Sequence, residues 1–167
     1  IPKGVNDPTD VVTTFTYESS FNFVKTATDP RGNTTAYTYD YELDEPKKGN
    51  LRKITFPSVG GQTIEATLIY TGFDQLDTVT DPNSHVTKYI YDATTGYLTQ
   101  TTVGFGTLEA STTTLAYDAV GNVTSLTNAN GKTTILEYDA QNQLTKTTAP
   151  SPLSFVTYQT YDANGNL

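Results

Sequence analysis

Five aspartates that each follow a tyrosine are the first residues in this chain that could do chemistry: Asp40, Asp92, Asp118, Asp139 and Asp162. Carboxylates can hold a cation, move protons, or flank a glycosidic bond in pairs. Calcium needs about six to eight oxygen ligands. These aspartates recur at long intervals, so separate turns would have to converge, and the DxDxDG spacing of a calcium loop is absent. No pair of carboxylates is marked out as facing a cleft. His85 is the only histidine and sits in the turn DPNSH, at a place where glycine is usual; it reads as an exposed turn residue. The chain has no cysteine, which removes disulfides, thiolate catalysis and cysteine-based metal sites. Gly104-Phe105-Gly106 is too short to cradle a phosphate. The expectation is therefore no catalytic residue, no metal site, no cofactor and no enzyme. The aspartates read as turn formers.

Two further signals are set aside. Asn33-Thr34-Thr35 and Asn122-Val123-Thr124 match the N-glycosylation acceptor, but in a chain this rich in threonine the match reads as incidental. The charged stretch Glu42 to Glu45 with Lys47-Lys48 reads as a solvated insertion.

Composition points to a sheet. Hydrophobic residues make up 35% of the 167, with no Trp or Met, while tyrosine occurs twelve times and threonine fills about a fifth of the chain. Aromatic and β-branched residues pack well against cross-strand neighbours on a pleated surface. The formal charge of −8 is spread along the chain, against nucleic acid and against an anionic membrane as partners. No apolar run approaches the roughly 20 residues needed to span a bilayer as a helix.

The tyrosines keep a beat. Tyr39-Asp40, Tyr91-Asp92, Tyr117-Asp118, Tyr138-Asp139 and Tyr161-Asp162 repeat one pair, and Tyr17-Glu18 is an acidic variant. Tyr70-Thr71 holds the same place, with its acid read as slipped to Asp74. Steps between these tyrosines are 22, 31, 21, 26, 21 and 23 residues. A second landmark begins ten residues before a repeat tyrosine: Asp7-Pro8, Asp29-Pro30, Asp81-Pro82 and Asn128-Ala129. The long steps carry insertions beside this landmark, after Pro57 and after Val103, and once at the opposite end between Tyr41 and Asn50. Closing a longer loop costs little.

Strand direction follows from alternation. Phe15 and Tyr17, Tyr37 and Tyr39, Leu68 and Tyr70, Tyr89 and Tyr91, Leu115 and Tyr117, and Leu136 and Tyr138 stand two apart, hence on one face. In TYQTYD the spacing from Tyr158 to Tyr161 is three, which a bulge is expected to absorb. After each turn an apolar residue is followed by a second position three on, as at Leu76 and Val79 or Val123 and Leu126. The first is expected to close over the turn and the second to point inward. Gly96, Gly121 and Gly165 supply backbone freedom in the turn, with Asn142 as the next most tolerant choice. The fold expected is all-β: repeated antiparallel β-hairpins forming one continuous twisted or spiralling ribbon, with almost no helix. Tyr39, Tyr91, Tyr117, Tyr138 and Tyr161 should occupy equivalent junctions and stack with neighbours from adjacent units, with Tyr17 and Tyr70 as further repeat-defining residues.

Taken together, TDPRGNTTAYTYD, TDPNSHVTKYIYD and YDAVGNVTSLTNANGKTTILEYD resemble the RHS, or YD, repeat. The resemblance covers nearly the whole chain, about six units read as a single segment from 1 to 167. Tyr97, Asn122 and Asn166 stand where the family form has arginine after the turn glycine. The aspartyl self-cleavage region that ends many bacterial shells has no counterpart here. The resemblance implies a β-ribbon of the kind that builds bacterial Rhs shells, Tc-type toxin shells and teneurin barrels. On that reading the chain is a structural piece of a longer secreted or cell-surface bacterial protein, or of a repeating assembly, forming shell or fibre wall. Its partners would be further YD repeats of the same polypeptide or identical copies. Two alternatives stay open: a carbohydrate- or cell-surface-binding module, which a solvent-facing row of tyrosines would favour, and part of a shell around a toxin.

Overall fold

The computed structural model describes residues 11–43 and 49–167. The Asp7-Pro8 landmark and most of the charged insertion, from Asp44 to Lys48, lie outside the described residues. The fold is all-β and antiparallel, with thirteen strands among the described residues and one turn of 3-10 helix at Asp40–Glu42. None of the described residues forms a helix long and apolar enough to cross a membrane.

Two compact units divide the chain, Ile1–Ser84 and His85–Leu167. The first holds β1 (Thr14–Tyr17), β2 (Val24–Thr28), β3 (Thr34–Tyr39), β4 (Leu51–Val59), β5 (Gln62–Tyr70) and β6 (Leu76–Thr80). The second holds β7 (Val86–Tyr91), β8 (Leu98–Val103), β9 (Ser111–Tyr117), β10 (Val123–Thr127), β11 (Thr133–Tyr138), β12 (Leu144–Thr148) and β13 (Val156–Tyr158). Within each unit every strand pairs with its neighbours in sequence, so the connections are hairpins.

The register explains the spacing of three. Each of six repeat tyrosines lies opposite the first apolar residue after its own turn: Tyr17 opposite Val24, Tyr39 opposite Leu51, Tyr70 opposite Leu76, Tyr91 opposite Leu98, Tyr117 opposite Val123 and Tyr138 opposite Leu144. The next residue is skipped in every case, as Thr124 is between Val123 and Ser125. A bulge of this kind adds one residue to one strand. It turns an i, i+3 pair into same-face neighbours, so Leu126 comes opposite Leu115 just as Val123 comes opposite Tyr117. Both apolar positions therefore share the tyrosine face. The first does not close over the turn by itself, as the sequence suggested. Two of the skipped threonines bond across the bulge: Thr99 and Thr145 hydroxyls donate to the carbonyls of Ile90 and Glu137 on the facing strand, at 3.1 Å each.

In β9 and β11 the two faces differ in exposure. Leu115, Tyr117, Leu136 and Tyr138 are half-buried, while Thr114, Ala116, Ile135 and Glu137 between them are exposed. Threonine hydroxyls also pair across strands, at Thr16–Thr26, Thr28–Thr34, Thr102–Thr112 and Thr127–Thr133. Among the described residues no side chain is fully buried, and Ala66 is the one buried apolar residue.

The last hairpin departs from expectation. Lys146 pairs with Tyr158 as Ser125 pairs with Ile135, so the register there is the ordinary one and no bulge is inserted in TYQTYD. Gln159, not Tyr158, stands two before the repeat tyrosine on the half-buried face, and Tyr158 points outward at 72% exposure. A polar residue thus occupies a position that is apolar in the other repeats, and its Oε1 is buried without a hydrogen-bond partner. Leaving a buried acceptor unsatisfied costs about 1–3 kcal/mol. Gln159→Leu should therefore raise the melting temperature. A lower melting temperature would show that the amide is satisfied and structurally required.

Candidate functional site

The residues expected to matter gather at the hairpin ends, where turn, tyrosine and bulge meet. Each turn is built by its first side chain. The Asp118 carboxylate accepts the backbone N–H groups of Val120 (3.0 Å) and Asn122 (2.9 Å), and Asp139 accepts those of Gln141 and Gln143 at 2.9 Å. Asp162 repeats the pattern with Asn164 and Asn166. The backbone closes the same way in each: Asp118 N–H donates to Asn122 C=O, and Gly121 N–H to Asp118 C=O. Gly121 sits at φ +97°, in the left-handed region that disfavours a Cβ.

Opposite hairpin ends at Asp29 and Asn128 use this turn too. Asp29 accepts from Arg31 and Asn33, and Asn128 accepts from Asn130 and Lys132, with Gly32 and Gly131 left-handed. The two landmarks that look different in sequence are thus one loop of five residues with a left-handed fourth position. Two assignments change as a result. Thr71, not Asp74, takes the aspartate's place: its hydroxyl accepts from Phe73 and Gln75 N–H, while Asp74 fills the left-handed position at φ +61°. In DPNSH it is Ser84, at φ +66°, that stands where glycine is usual, and exposed His85 follows it.

Two turns run one residue longer. Glu18 N–H donates to Phe23 C=O, and Asp92 N–H to Tyr97 C=O. Buried Glu18 accepts the N–H groups of Ser20, Phe21 and Phe23, and Asp92 accepts those of Thr94 and Thr95. In the longest turn, Asp40 is 3% exposed and accepts from Tyr41 and Gly49 N–H. Phe21, Phe23, Tyr39 and Tyr41 form a ring cluster beside it, with centroids 5.0–5.8 Å apart. Burial, then the charge of Glu18, pushes the Tyr41 phenol up to about 12.

The tyrosines use both ends of the side chain. The ring lies on the half-buried face, and the hydroxyl donates to a backbone carbonyl one strand back. Tyr39 reaches Val24 (2.9 Å), Tyr117 reaches Leu98 (2.7 Å), Tyr138 reaches Val123 (3.0 Å) and Tyr161 reaches Leu144 (3.1 Å). Each acceptor is the first apolar residue after the preceding turn. The strand ladder stops short of it: β10 and β11 last pair at Ser125 and Ile135. Tyrosine supplies the donor that the ladder lacks there. Ring contacts of these tyrosines run to aromatic residues that close the preceding turn, Phe23 with Tyr39 and Tyr97 with Tyr117, and within one turn from Tyr39 to Tyr41. Tyr17 is exposed.

The repeat aspartates stay in separate turns, their oxygens turned to backbone N–H groups. Among the described residues no three His, Asp or Glu side chains come together. The two glycosylation acceptors are engaged: Asn33 and Asn122 amide nitrogens donate to Asp29 and Asp118 at 2.9 Å. Sequence reasoning missed this asparagine clamp at the last turn position, although Asp-x-x-Gly-Asn recurs at Asp29, Asp118 and Asp162.

Comparison with known proteins agrees with this geometry. Residues 117–154 match the RHS Repeat family model. No curated protein sequence matches the chain. Among solved structures, the Tc holotoxin pore of Photorhabdus luminescens aligns over 93% of the chain at TM-score 0.72 and 23% identity. A TcdB2-TccC3 structure without its hypervariable C-terminal region aligns over 82% at TM-score 0.67 and 25% identity. The chain has RHS/YD-repeat affinity. It spans only 8% and 7% of the length of those two chains. The turn seen here is one structure written with Asp, Asn or Thr in front and Gly, Asn, Asp or Ser in the left-handed position.

The clamp gives these turns a pH dependence. The Asn33, Asn122 and Asn166 amides, helped by backbone N–H groups, hold Asp29, Asp118 and Asp162 below the usual carboxylate range, and Thr95 N–H does so first for Asp92. An unfolded aspartate titrates near about 3.9. The stabilisation is therefore complete above about pH 4 and is lost as pH falls through the lower folded values. Asp118→Asn should keep its turn, as Asn128 does, and lose less melting temperature than wild type when the pH is lowered below about 4. An identical acid profile would contradict the clamp.

Proposed function

We propose that this chain is a stretch of wall in a secreted or cell-surface bacterial Rhs/YD-repeat protein related to Tc-toxin shells. The observation that carries the reading is the burial pattern. Hairpin follows hairpin in each unit with no fully buried side chain among the described residues, and where the two faces differ, as in β9 and β11, the tyrosine face is the half-buried one. A sheet of that kind gains stability from nearest neighbours, as repeat proteins do, and not from a central core. It suits a wall. Its partners would be more of the same: further YD repeats of its own polypeptide, identical copies, or shell subunits of the kind paired in the TcdB2-TccC3 structures. Enclosure of a toxic segment is a narrower form of the same reading.

The binding-module alternative looked to a solvent-facing row of tyrosines. The repeat tyrosines at 39, 117, 138 and 161 instead lie half-buried with their hydroxyls on backbone carbonyls. Nothing in that row favours carbohydrate.

A wall piece keeps open strand edges, and open edges template further pairing. β1 and β13 are exposed along their whole lengths. Light scattering of the isolated chain across a dilution series should show self-association at micromolar concentration. A stable, well-folded monomer throughout would defeat the wall reading.

A further inference from the structure

The turns that follow a repeat tyrosine touch one another along the rim of each unit, through contacts in which two positions recur. One is the left-handed residue of a turn. The other is the residue that closes the turn before it. Five successive contacts fall within the units, and they sort by side chain. Where the closing residue is aromatic, the next left-handed residue is glycine, and a Cβ there would press on the aromatic side chain. A Cβ on Gly49 would lie 2.8 Å from the Phe23 ring, and one on Gly121 would lie 2.7 Å from the Tyr97 hydroxyl oxygen. Where the closing residue is asparagine, the next left-handed residue is Asp or Asn and accepts from it. Asn50 donates to Asp74 at 3.1 Å, and Asn122 to Asn142 at 2.9 Å. Gln143 falls with the first group, since its Nε2 would lie 3.1 Å from a Cβ on Gly165.

We propose that these paired positions are specificity determinants of hairpin stacking, a matching rule that sets which hairpin can follow which. A bulky closing residue requires glycine in the next turn; asparagine selects a short side chain that can accept its amide. The rule explains why the left-handed position is not uniformly glycine. Asp74 and Asn142 bear the strain of φ +61° and +63° where a neighbouring amide rewards them. Gly121, under Tyr97, has no such option. In a wall of similar repeats, the rule specifies order at the rim, where the half-buried faces are too alike to do so. It deepens the wall reading and rests on it for its purpose.

The test is a double-mutant cycle in the full chain, read by thermal unfolding. Gly121→Ala is made with Tyr97 present and with Tyr97→Ala. Backbone strain at position 121 is common to both backgrounds and cancels, leaving the pairwise contact. The rule expects Gly121→Ala to lower the melting temperature by at least about 4 °C more when Tyr97 is present, the shift corresponding to about 1 kcal/mol. Equal losses overturn it. A second pair decides if the alanine variants do not fold. Asn50→Phe should lower the melting temperature, and adding Asp74→Gly should restore much of the loss; no restoration overturns the rule. Light scattering on the same samples separates the two ideas. Absent coupling with self-association intact removes the rule and leaves the wall, whereas coupling in a chain that stays monomeric removes the wall and leaves the rule.

Discussion

One hydrogen bond organises the rest of this structure: a tyrosine hydroxyl donating to the carbonyl of the first apolar residue after the preceding turn. The bulge makes the bond necessary. By adding a residue just past each tyrosine–aspartate turn, it sets two apolar positions on one face but ends the following ladder early. A carbonyl is left without its ladder partner, and the next tyrosine meets it. In the second unit the links run without a gap, from Tyr91 opposite Leu98, to Tyr117 on the Leu98 carbonyl and opposite Val123, to Tyr138 on the Val123 carbonyl and opposite Leu144, to Tyr161 on the Leu144 carbonyl. Only tyrosine among the aromatics offers a wide ring and a terminal O–H donor at that reach.

That bond also accounts for stability without a core. A neutral hydrogen bond contributes about 0.5–1.5 kcal/mol net, and a half-buried ring adds apolar contact. Neither is large, but the pattern recurs at Tyr39, Tyr117, Tyr138 and Tyr161. Turn carboxylates on backbone N–H groups, bulge threonines on facing carbonyls, and asparagine clamps on turn aspartates follow the same logic. Each small element satisfies polar backbone locally, so the sheet does not depend on deep burial.

The repeating frame was legible in the sequence because tyrosine, turn and alternation all announce themselves by residue type. Leu115 with Tyr117 and Leu136 with Tyr138 lie on the half-buried face that their spacing implied. What stayed hidden was chemistry that different residue types can share. Thr71 does an aspartate's work through a hydroxyl, so its turn looked displaced toward Asp74. Asn128 does the same through an amide oxygen, which masked the identity of the two turn classes. Gln159 carries no apolar signal, so the residue types alone point to Tyr158, which in the structure faces outward. The bulge was hidden for another reason: a spacing of three breaks alternation on one strand, and only the facing strand shows that the parity is restored.

The account stands or falls on the hydroxyl, which can be removed without the ring. Tyr138→Phe keeps the apolar contact and takes away the donor to the Val123 carbonyl, while Tyr158→Phe removes a hydroxyl from an exposed ring as a control. Chemical denaturation of the two variants should show Tyr138→Phe less stable by about 1–2 kcal/mol, from the lost bond and the carbonyl left behind. Tyr158→Phe should stay within about 0.5 kcal/mol of wild type. Equal stability of the two variants would mean that the rings alone hold the hairpins together, and would contradict the account.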